Sequence, residues 1–363
     1  MAPLLQVYVG TYTDKASKSK GIYSLKLDLA GGTLTPPHPV IEAQNPSFLA
    51  VHPTGRFLYA VEEIACFEGR KCGDVVALAI DHRSGQLALL NRRSTCGAGP
   101  CHVIVDPGGR NLLVANYAGG SVSVLSIRPD GTLSEASDVV PHAAWELDAS
   151  RVKRPHAHSI CLDPAGRFAL VADLGLDKIL VYRFDPAKGT LALHDPSVAH
   201  VAAGAGPRHL AMHPAGRFAY LVNEMASTVT AFAYDAARGC LRELQVLSTL
   251  PDAFRGKNTG ADIHVHPSGK VLYCSNRGHD SIAVLAIDSA AGTLTLVNHF
   301  ATRGRTPRGF AVDPTGTYLL AANQDSDTIV VSRIEPDTGT LVPTAFEACV
   351  PCPVCIKFVP VRE

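Results

Sequence analysis

Short apolar runs separated by turns that contain proline and glycine recur along the whole chain. In one stretch, an apolar run over His209–His213 leads through a Pro-Ala-Gly turn into a second run, Phe218–Val222. A third run, Thr228–Tyr234, leads through another glycine-containing turn to a fourth. Proline fixes φ for a turn and glycine accepts positive φ, so each Pro-x-Gly segment indicates a hairpin corner. The pattern predicts units of four short antiparallel strands.

Two markers of this unit repeat along the sequence. The Pro-x-Gly turn occurs six times, with its glycines 54, 57, 50, 53 and 47 residues apart, at Gly55, Gly109, Gly166, Gly216, Gly269 and Gly316. A Gly-x-Leu marker occurs seven times, at Gly32, Gly85, Gly131, Gly189, Gly239, Gly292 and Gly339. A period of this size is typical of repeat architectures. We interpret each unit as one four-stranded propeller blade.

The two markers differ by one copy, and the chain termini account for the difference. Val7–Thr11 matches the second strand of a unit, whereas Val354–Val359 matches a first strand. A blade assembled from both termini closes the ring and leaves no free edge between the first and last blades. The sequence therefore predicts an all-β, seven-bladed β-propeller. It forms a single domain over residues 1–363, and its seventh blade is closed by the N- and C-terminal strands.

The composition argues against several classes of partner. The net charge is zero and charged residues make up 18% of the chain, so the basic footprint of a nucleic-acid-binding protein is missing. The sequence has no apolar run of 18 residues, and its start lacks a basic region followed by an apolar stretch. We expect no nucleic-acid or membrane partner, a cytoplasmic location, and a monomer or weak homo-oligomer. The longest insertion, residues 141–155, holds the single tryptophan, Trp145.

Ten cysteines raise the question of a metal site or disulfides. Cys349, Cys352 and Cys355 have CxxCxxC spacing, which is one pattern of metal ligands. However, this group runs into the closing strand, where alternate side chains point to opposite faces, and Pro351 and Pro353 interrupt it. We expect buried free thiols, as in a cytosolic chain, and no metal site.

Equivalent positions of the blades locate a candidate ligand site. In an antiparallel hairpin the start of the first strand lies beside the end of the second, and first strands line the channel of a propeller. Six residues before the turn proline stand Ser47, Cys101, His158, Arg208, Ala261 and Arg308. Eight residues after the turn glycine stand Glu63, Tyr117, Leu174, Glu224, Arg277 and Gln324. These two columns of residues are expected to converge at one mouth of the channel.

Polar residues at strand ends have two interpretations. Many are polar because they meet solvent or bond turn backbone, and this suffices for the Asn/Asp positions one place earlier, such as Asn116 and Asp173. It accounts poorly for Arg208, Glu224 and Arg277, because long charged side chains at inner-strand positions must crowd one channel. A concave mouth that collects such charges suits a small anionic ligand.

The histidines fall into three groups. Those that precede a turn proline are interpreted as structural turn residues: His52, His213 and His266. Those expected on the alternate face of their strands, packed or capping, are His102, His209 and His264. His158 stands in the inward-facing column and is the strongest catalytic candidate. His156 projects to the same side two residues earlier and is a weaker one.

Several longer motifs together resemble a known family. They are PHAHSICLDPAGRFALVADLGLDKILVY, GAGPRHLAMHPAGRFAYLVNE, SNRGHDSIAV and PRGFAVDPTGTYLLAANQDSD, and the similarity covers essentially the whole chain. The chain resembles the seven-bladed propeller lactonases, which include bacterial 6-phosphogluconolactonases and fungal 3-carboxy-cis,cis-muconate lactonizing enzymes. The resemblance implies catalytic roles for His158, Arg208, Glu224 and Arg277, without a metal or organic cofactor. The motifs PHAHS and SNRGHDS look closer to the bacterial branch, which implies hydrolysis.

The resulting hypothesis is hydrolysis of a sugar-acid lactone, foremost 6-phosphogluconolactone of the pentose phosphate pathway. Either His158 or Glu224 could be the general base, and a histidine pKa near neutrality suits either role. Two arginines beside Glu224 would hold it ionised, which favours His158 for proton transfer. Arg208 and Arg277 would stabilise the oxyanion and hold the phosphate. The residues expected to line the sugar pocket are Glu63, Tyr117, His156, Arg308 and Gln324.

Two other functions stay open at this point. One is a cycloisomerase or lactonase of a carboxymuconate or muconolactone, which would use the same arginines for a dicarboxylate. The other is a propeller that only binds a ligand or a protein. The single tryptophan and the lack of a recurring Trp-Asp dipeptide argue against a WD40-type scaffold.

Overall fold

Seven four-stranded antiparallel sheets form a closed ring in the computed structural model, which describes residues 4–14, 17–142 and 154–361. The first strands of neighbouring blades contact each other all the way around, so they line the central channel. The predicted all-β, seven-bladed propeller is therefore confirmed. Among the described residues the helical structure is a three-residue 3-10 turn, and no helix could cross a membrane. Most of the insertion that carries Trp145 lies outside the described residues.

The strands follow the order of the predicted units. Blades one to three contain β4 (Leu49–Val51), β5 (Phe57–Glu62), β6 (Asp74–Ile80), β7 (Leu87–Ser94); β8 (Pro100–Val105), β9 (Asn111–Asn116), β10 (Ser121–Ile127), β11 (Leu133–Pro141); and β12 (Ala157–Leu162), β13 (Phe168–Asp173), β14 (Lys178–Asp185), β15 (Thr190–His200). Blades four to six contain β16 (Pro207–Met212), β17 (Phe218–Asn223), β18 (Thr228–Asp235), β19 (Cys240–Ser248); β20 (Thr259–Val265), β21 (Val271–Arg277), β22 (Ser281–Ile287), β23 (Leu294–Ala301); and β24 (Pro307–Val312), β25 (Tyr318–Asn323), β26 (Thr328–Ile334), β27 (Leu341–Cys349). Blade seven contains β28 (Pro353–Pro360), β1 (Leu4–Thr11), β2 (Gly21–Asp28) and β3 (His38–Glu42).

Blade seven closes the ring with strands from both termini, as the marker count predicted. Strand β1 pairs antiparallel with β28, and the register runs from Leu5 opposite Pro360 to Thr11 opposite Pro353. Both strands thereby satisfy backbone groups that would otherwise form two open sheet edges.

Burial explains why the second strands are continuously apolar. Every residue of β17 is buried, because both faces of its sheet pack against neighbouring blades. The outer strand β11 instead alternates between more and less exposed positions, since one of its faces meets solvent. A continuous apolar run therefore indicates an inner strand of a blade, and an alternating pattern indicates an outer strand.

The repeat markers are the places where neighbouring blades bond each other. His52, His213 and His266 contact the carbonyl oxygens of turn glycines in the next blade, with Nε2–O distances of 2.9, 2.8 and 2.9 Å. Their interpretation as structural turn residues is confirmed. The Gly-x-Leu glycines play the same part for tyrosine hydroxyls: the donor–acceptor pairs are Tyr8–Gly85, Tyr59–Gly131, Tyr220–Gly292 and Tyr273–Gly339.

The Asn/Asp residues one place before the second column also have the structural role that the sequence predicted for them. The side-chain amides of Asn116 and Asn276 donate to Ser121 and Ser281 at the start of the next strand. Asp173 accepts backbone N–H groups and lies 2.6 Å from Nδ1 of the buried His142. These side chains fasten the second strand of a blade to its surroundings.

Blade one replaces this amide–hydroxyl pair by two carboxyl groups, Glu62 and Asp74. Asp74 is fully buried, and its two oxygens have no hydrogen-bond donor among the described residues. Glu62 accepts the N–H of Gln44 at 2.7 Å and contacts Arg92 at 3.1 Å. Burial, and then the charge of Glu62, raise the pKa of Asp74 to about 8. Asp74 is therefore protonated at neutral pH, opposite Glu62 on the neighbouring strand.

We expect Asp74→Asn to stabilise the protein at alkaline pH. The folded pKa of Asp74 is raised, so its stabilisation is fully present below the ordinary pKa of 3.8 and is lost as pH rises to about 8. An asparagine amide donates to Glu62 without needing that proton. The free energy of unfolding should rise by about 1–3 kcal/mol at alkaline pH. Denaturant titrations across the pH range measure this gain, which should shrink towards acid.

A suitable control for this variant is Asp81→Asn in the same blade. Asp81 is exposed, and backbone N–H groups led by that of Arg83 lower its pKa, so its contribution has the opposite pH dependence. This control should gain no stability at alkaline pH. A pH-independent effect of Asp74→Asn would contradict the raised pKa of Asp74.

Candidate active site

Five residues of the first column and Glu63 of the second line a cavity of about 10 Å³, the space of a single water molecule, at one end of the channel. The lining comes from all seven blades and includes Ser47, Phe48, Glu63, Cys101, His158, Arg208, His209, Asp262, Arg308 and Val354. Comparison of equivalent blade positions thus found a real convergence of charged side chains.

A β-bulge in several first strands lets adjacent residues reach this cavity. The register between first and second strands shifts at Pro207/His209 in blade four and at Ala157/Ser159 in blade three. A bulge places two residues of one strand opposite one of its partner, which breaks the regular alternation of side chains. Arg208 and His209 consequently both line the cavity, although they are neighbours in sequence.

Glu224 lies between two guanidinium groups. Its Oε2 is 2.9 Å from Nε of Arg208, and its Oε1 is 3.1 Å from Nη2 of Arg277. Burial alone would raise the pKa of Glu224, but Arg208, Arg277 and Arg308 together hold it below its ordinary value. Glu224 is therefore ionised at neutral pH, as the sequence predicted.

Backbone carbonyls fix both arginines. Arg208 is almost completely buried, and its Nη1 donates to the carbonyl of Ala261. Arg277 donates from Nη2 to the carbonyl of Gly260 at 3.0 Å. Burial, and next the charge of Arg208, lower the pKa of Arg277 to about 10, so it stays protonated at neutral pH. The protein itself thus holds two positive groups in place, one buried on Arg208 and one half-buried on Arg277.

A third arginine belongs to a separate hydrogen-bond chain. Arg308 donates to the hydroxyl of Tyr12 at 2.8 Å, and its guanidinium stacks on the Tyr12 ring at 5.2 Å. Tyr12 in turn donates to Glu63 at 2.9 Å, and Ser47 donates to the same carboxylate oxygen at 2.5 Å. This chain holds two of the sequence-predicted pocket residues, Arg308 and Glu63, against one side of the cavity.

His158 is a buried, neutral imidazole. Its Nε2 lies 3.8 Å from Oε2 of Glu224, too far for a hydrogen bond. Burial lowers the pKa of His158 well below its ordinary value, and the charge of Arg208 lowers it further. The expectation of a pKa near neutrality is therefore wrong, because burial and then the neighbouring arginine charges disfavour a proton on this ring. The neutral ring can accept a proton but has none to give as an imidazolium.

Three other residues were predicted to line the pocket. Tyr117 contacts His158 and His156 stacks on Tyr117, whereas Gln324 lies apart from them. The rings of Tyr117 and His156 are stacked 4.5 Å apart, and Tyr117 meets His158 edge-on at 5.3 Å. Gln324 begins the 3-10 turn, and its amide donates to the adjacent Asp325 at 3.1 Å. Among the described contacts, nothing joins the Gln324 side chain to the arginine cluster.

Sequence reasoning missed three residues of the site: Tyr12, His209 and Asp262. Tyr12 follows the strand Val7–Thr11, so extending the second column to blade seven would have found it. His209 was expected on the alternate face, but the bulge brings it to the cavity. Asp262 stands one place after Ala261 of the first column, and no sequence motif or spacing marked it as a site residue.

The cysteines follow strand geometry only in part. Cys355 is buried, Cys352 is half-buried and Cys349 is exposed. All ten cysteines are free thiols, but Cys66, Cys96 and Cys349 are exposed, so the expectation of buried thiols is wrong for these three positions. The described part of the chain brings no three His, Cys, Asp or Glu side chains together as a metal cluster.

Comparisons with known proteins agree with this geometry. The family model "Lactonase, 7-bladed beta-propeller" matches residues 6–358. The 6-phosphogluconolactonase of Bacillus subtilis is 36% identical over 351 residues, which cover 97% of either chain. The 6-phosphogluconolactonase of Formosa agariphila is 32% identical and covers 85% of this chain and 86% of its own. The structure of the periplasmic gluconolactonase of Pseudomonas aeruginosa superposes with a TM-score of 0.91 at 35% identity, covering 99% and 100% of the two chains.

The pKa of His158 offers a direct test of the site's electrostatics. We expect the wild-type ring to titrate well below pH 6.5, and Arg308→Gln to raise its pKa by removing one of the charges that lower it. NMR titration of the imidazole C–H resonances measures both. Lys357→Gln removes a positive charge that faces His102, and it should leave His158 unchanged. Titration of wild-type His158 at its ordinary pKa would contradict the assignment of this ring as a buried imidazole with a lowered pKa.

Proposed function

The chain belongs to the seven-bladed β-propeller lactonase family and is a lactonase that hydrolyses a sugar lactone; we propose that its substrate is 6-phosphogluconolactone, which it converts to 6-phosphogluconate. The observation that carries this proposal is the pairing of ionised Glu224 with the buried Arg208 and the half-buried Arg277 beside a neutral His158. The names of the Bacillus and Formosa relatives support the phosphorylated substrate.

In the proposed mechanism, His158 acts as general base. Its neutral ring takes a proton from water as the water oxygen attacks the lactone carbonyl carbon. The ring C–O bond then breaks, and the proton passes from His158 to the leaving alkoxide, which becomes the free hydroxyl of the sugar acid. Glu224 stabilises the transient imidazolium, because its carboxylate lies 3.8 Å from Nε2. The low pKa of His158 makes it a weak base but keeps it neutral at working pH.

Arg208 and Arg277 supply the positive charge that the reaction needs. Developing negative charge on the carbonyl oxygen is best stabilised by donors already fixed in a buried site, and both guanidinium groups are held by backbone carbonyls. The same arginines are proposed to hold the phosphate of the substrate. Arg308, Glu63, Tyr117 and His156 would contact the sugar hydroxyls, and Gln324 would lie further out.

We also propose that the protein acts in the cytoplasm, in the pentose phosphate pathway, as a monomer or weak homo-oligomer without nucleic-acid or membrane partners. Its ten free thiols support a reducing compartment, although the Pseudomonas relative is named periplasmic. The proposed reaction uses no metal or organic cofactor, so a chelator should leave the rate unchanged.

The substrate proposal predicts a preference that proton release can measure. 6-Phosphogluconolactone should be hydrolysed faster than gluconolactone, because the arginine cluster attracts the phosphate. A muconolactone should not be hydrolysed. Each rate is compared with a protein-free blank, since such lactones open spontaneously. Activity on the muconolactone alone would favour the aromatic-catabolism function, and no activity on any lactone would favour a binding propeller. Equal rates on the two sugar lactones would contradict the proposal that the arginines recognise the phosphate.

The mechanism predicts that His158→Ala and Arg277→Ala each lower kcat on the order of 100- to 1000-fold. His158→Ala removes the base, and Arg277→Ala removes one oxyanion donor and frees Glu224. Arg333→Ala is the matched control. Arg333 lies on strand β26 and forms an exposed ion pair with Glu335. Steady-state kinetics should show an unchanged kcat for this control. A kcat within about threefold of wild type in His158→Ala would rule out the histidine base.

A further inference from the structure

A buried carboxylate in the wall of the site cavity accepts hydrogen bonds from four donors. Asp262 accepts from Nδ1 of His209 at 2.9 Å and from Nε2 of His264 at 3.2 Å. It also accepts the backbone N–H groups of Ile263 and Phe310, at 3.0 and 3.3 Å. Although burial opposes ionisation, these donors hold the pKa of Asp262 well below its ordinary value. Asp262 is therefore a fixed negative charge.

This carboxylate selects one tautomer of His209. A carboxylate only accepts, so Nδ1 of His209 must carry the hydrogen and Nε2 must carry the lone pair when the ring is neutral. Burial, and next the charge of Arg208, lower the pKa of His209 to about 4. At neutral pH the ring therefore presents a hydrogen-bond acceptor on the side away from Asp262.

The acceptor faces an arginine that can only donate. Nε2 of His209 lies 3.4 Å from Nη1 of Arg208, whose second Nη1 hydrogen goes to the carbonyl of Ala261. Nε of Arg208 lies 2.9 Å from Glu224. The remaining nitrogen, Nη2, forms no hydrogen bond with any described residue and is left as the donor for a substrate oxygen.

We propose that His209 and Asp262 are positioning residues that set the orientation of Arg208 and aim its Nη2 at the reacting oxygen. Asp262 fixes the His209 tautomer, and His209 accepts from Arg208. This inference rests on the proposed function, because it assigns Arg208 to the lactone. It adds two residues to the machinery that act through Arg208 and do not carry the proton of the reaction.

A purely structural role for His209 is the competing explanation. Its ring packs against Phe48, His102 and His158, at centroid distances of 5.7, 5.2 and 5.3 Å. The residue that follows the strand of His209 provides a matched comparison. His213 is also buried, and it too bonds the next blade, through the carbonyl of Gly269 at 2.8 Å. It lies at the turn and makes no contact with Arg208 among the described residues.

The test compares His209→Leu, His209→Gln and His213→Leu in lactone hydrolysis. We expect His209→Leu to lower kcat by about tenfold to a hundredfold with a smaller change in KM, because a displaced arginine is lost chiefly from the transition state. A glutamine at position 209 can donate to Asp262 and accept from Arg208, so it should restore most of kcat. His213→Leu should lower the melting temperature while kcat stays within about twofold.

Three results would overturn the proposal. They are an unchanged kcat in His209→Leu, an equal loss of kcat in His213→Leu, or no rescue by His209→Gln. A crystal structure of His209→Leu gives a readout that does not depend on activity. Arg208 should leave its contact with Glu224 there, and an unmoved guanidinium would refute the positioning role. If the wild type hydrolyses no lactone, the proposed function fails, yet this structure still decides the role of His209.

Discussion

The antiparallel pairing of β1 with β28 is the contact on which the rest of the molecule depends. Each blade buries apolar side chains on both faces, as the fully buried β17 shows, so every blade needs a neighbour on either side. Only a closed ring gives all seven blades two neighbours. Closure also fixes the channel, since the first strands around it contact each other in sequence. The candidate site, whose cavity is lined by residues of all seven blades, exists only in the closed ring.

Inter-blade hydrogen bonds and tight glycine contacts explain why the repeat is visible in the sequence. The carbonyl of Gly131 accepts a hydrogen bond from Tyr59, and a Cβ at this glycine would lie 2.4 Å from the Phe57 ring. At Gly269 the partner is His213, whose ring would lie 2.8 Å from such a Cβ. Positive φ and close packing both require glycine at these positions. The spacing of the glycines therefore reports the spacing of the blades.

Crowding of arginines gives the site its chemistry. Three guanidinium groups close to one half-buried carboxylate keep Glu224 ionised, while burial and the charges of Arg208 and Arg308 keep His158 free of a proton. The site therefore holds a neutral base, a negative partner and positive donors at the same pH. Each arginine also has an acceptor in the protein, so the cluster is held in place before a ligand arrives.

The sequence by itself determined the fold and most of the site, because a repeated blade turns linear spacing into position. Once each residue has a place in its blade, His158, Arg208, Glu224 and Arg277 must lie at one mouth of the channel. The tertiary structure decided what alternation along a strand could not. The bulge at Pro207/His209 turned His209 into the cavity, and it and Asp262 became neighbours only because they stand in adjacent blades. The pKa of His158 likewise depends on charges from several blades, whose distances no spacing in one strand encodes.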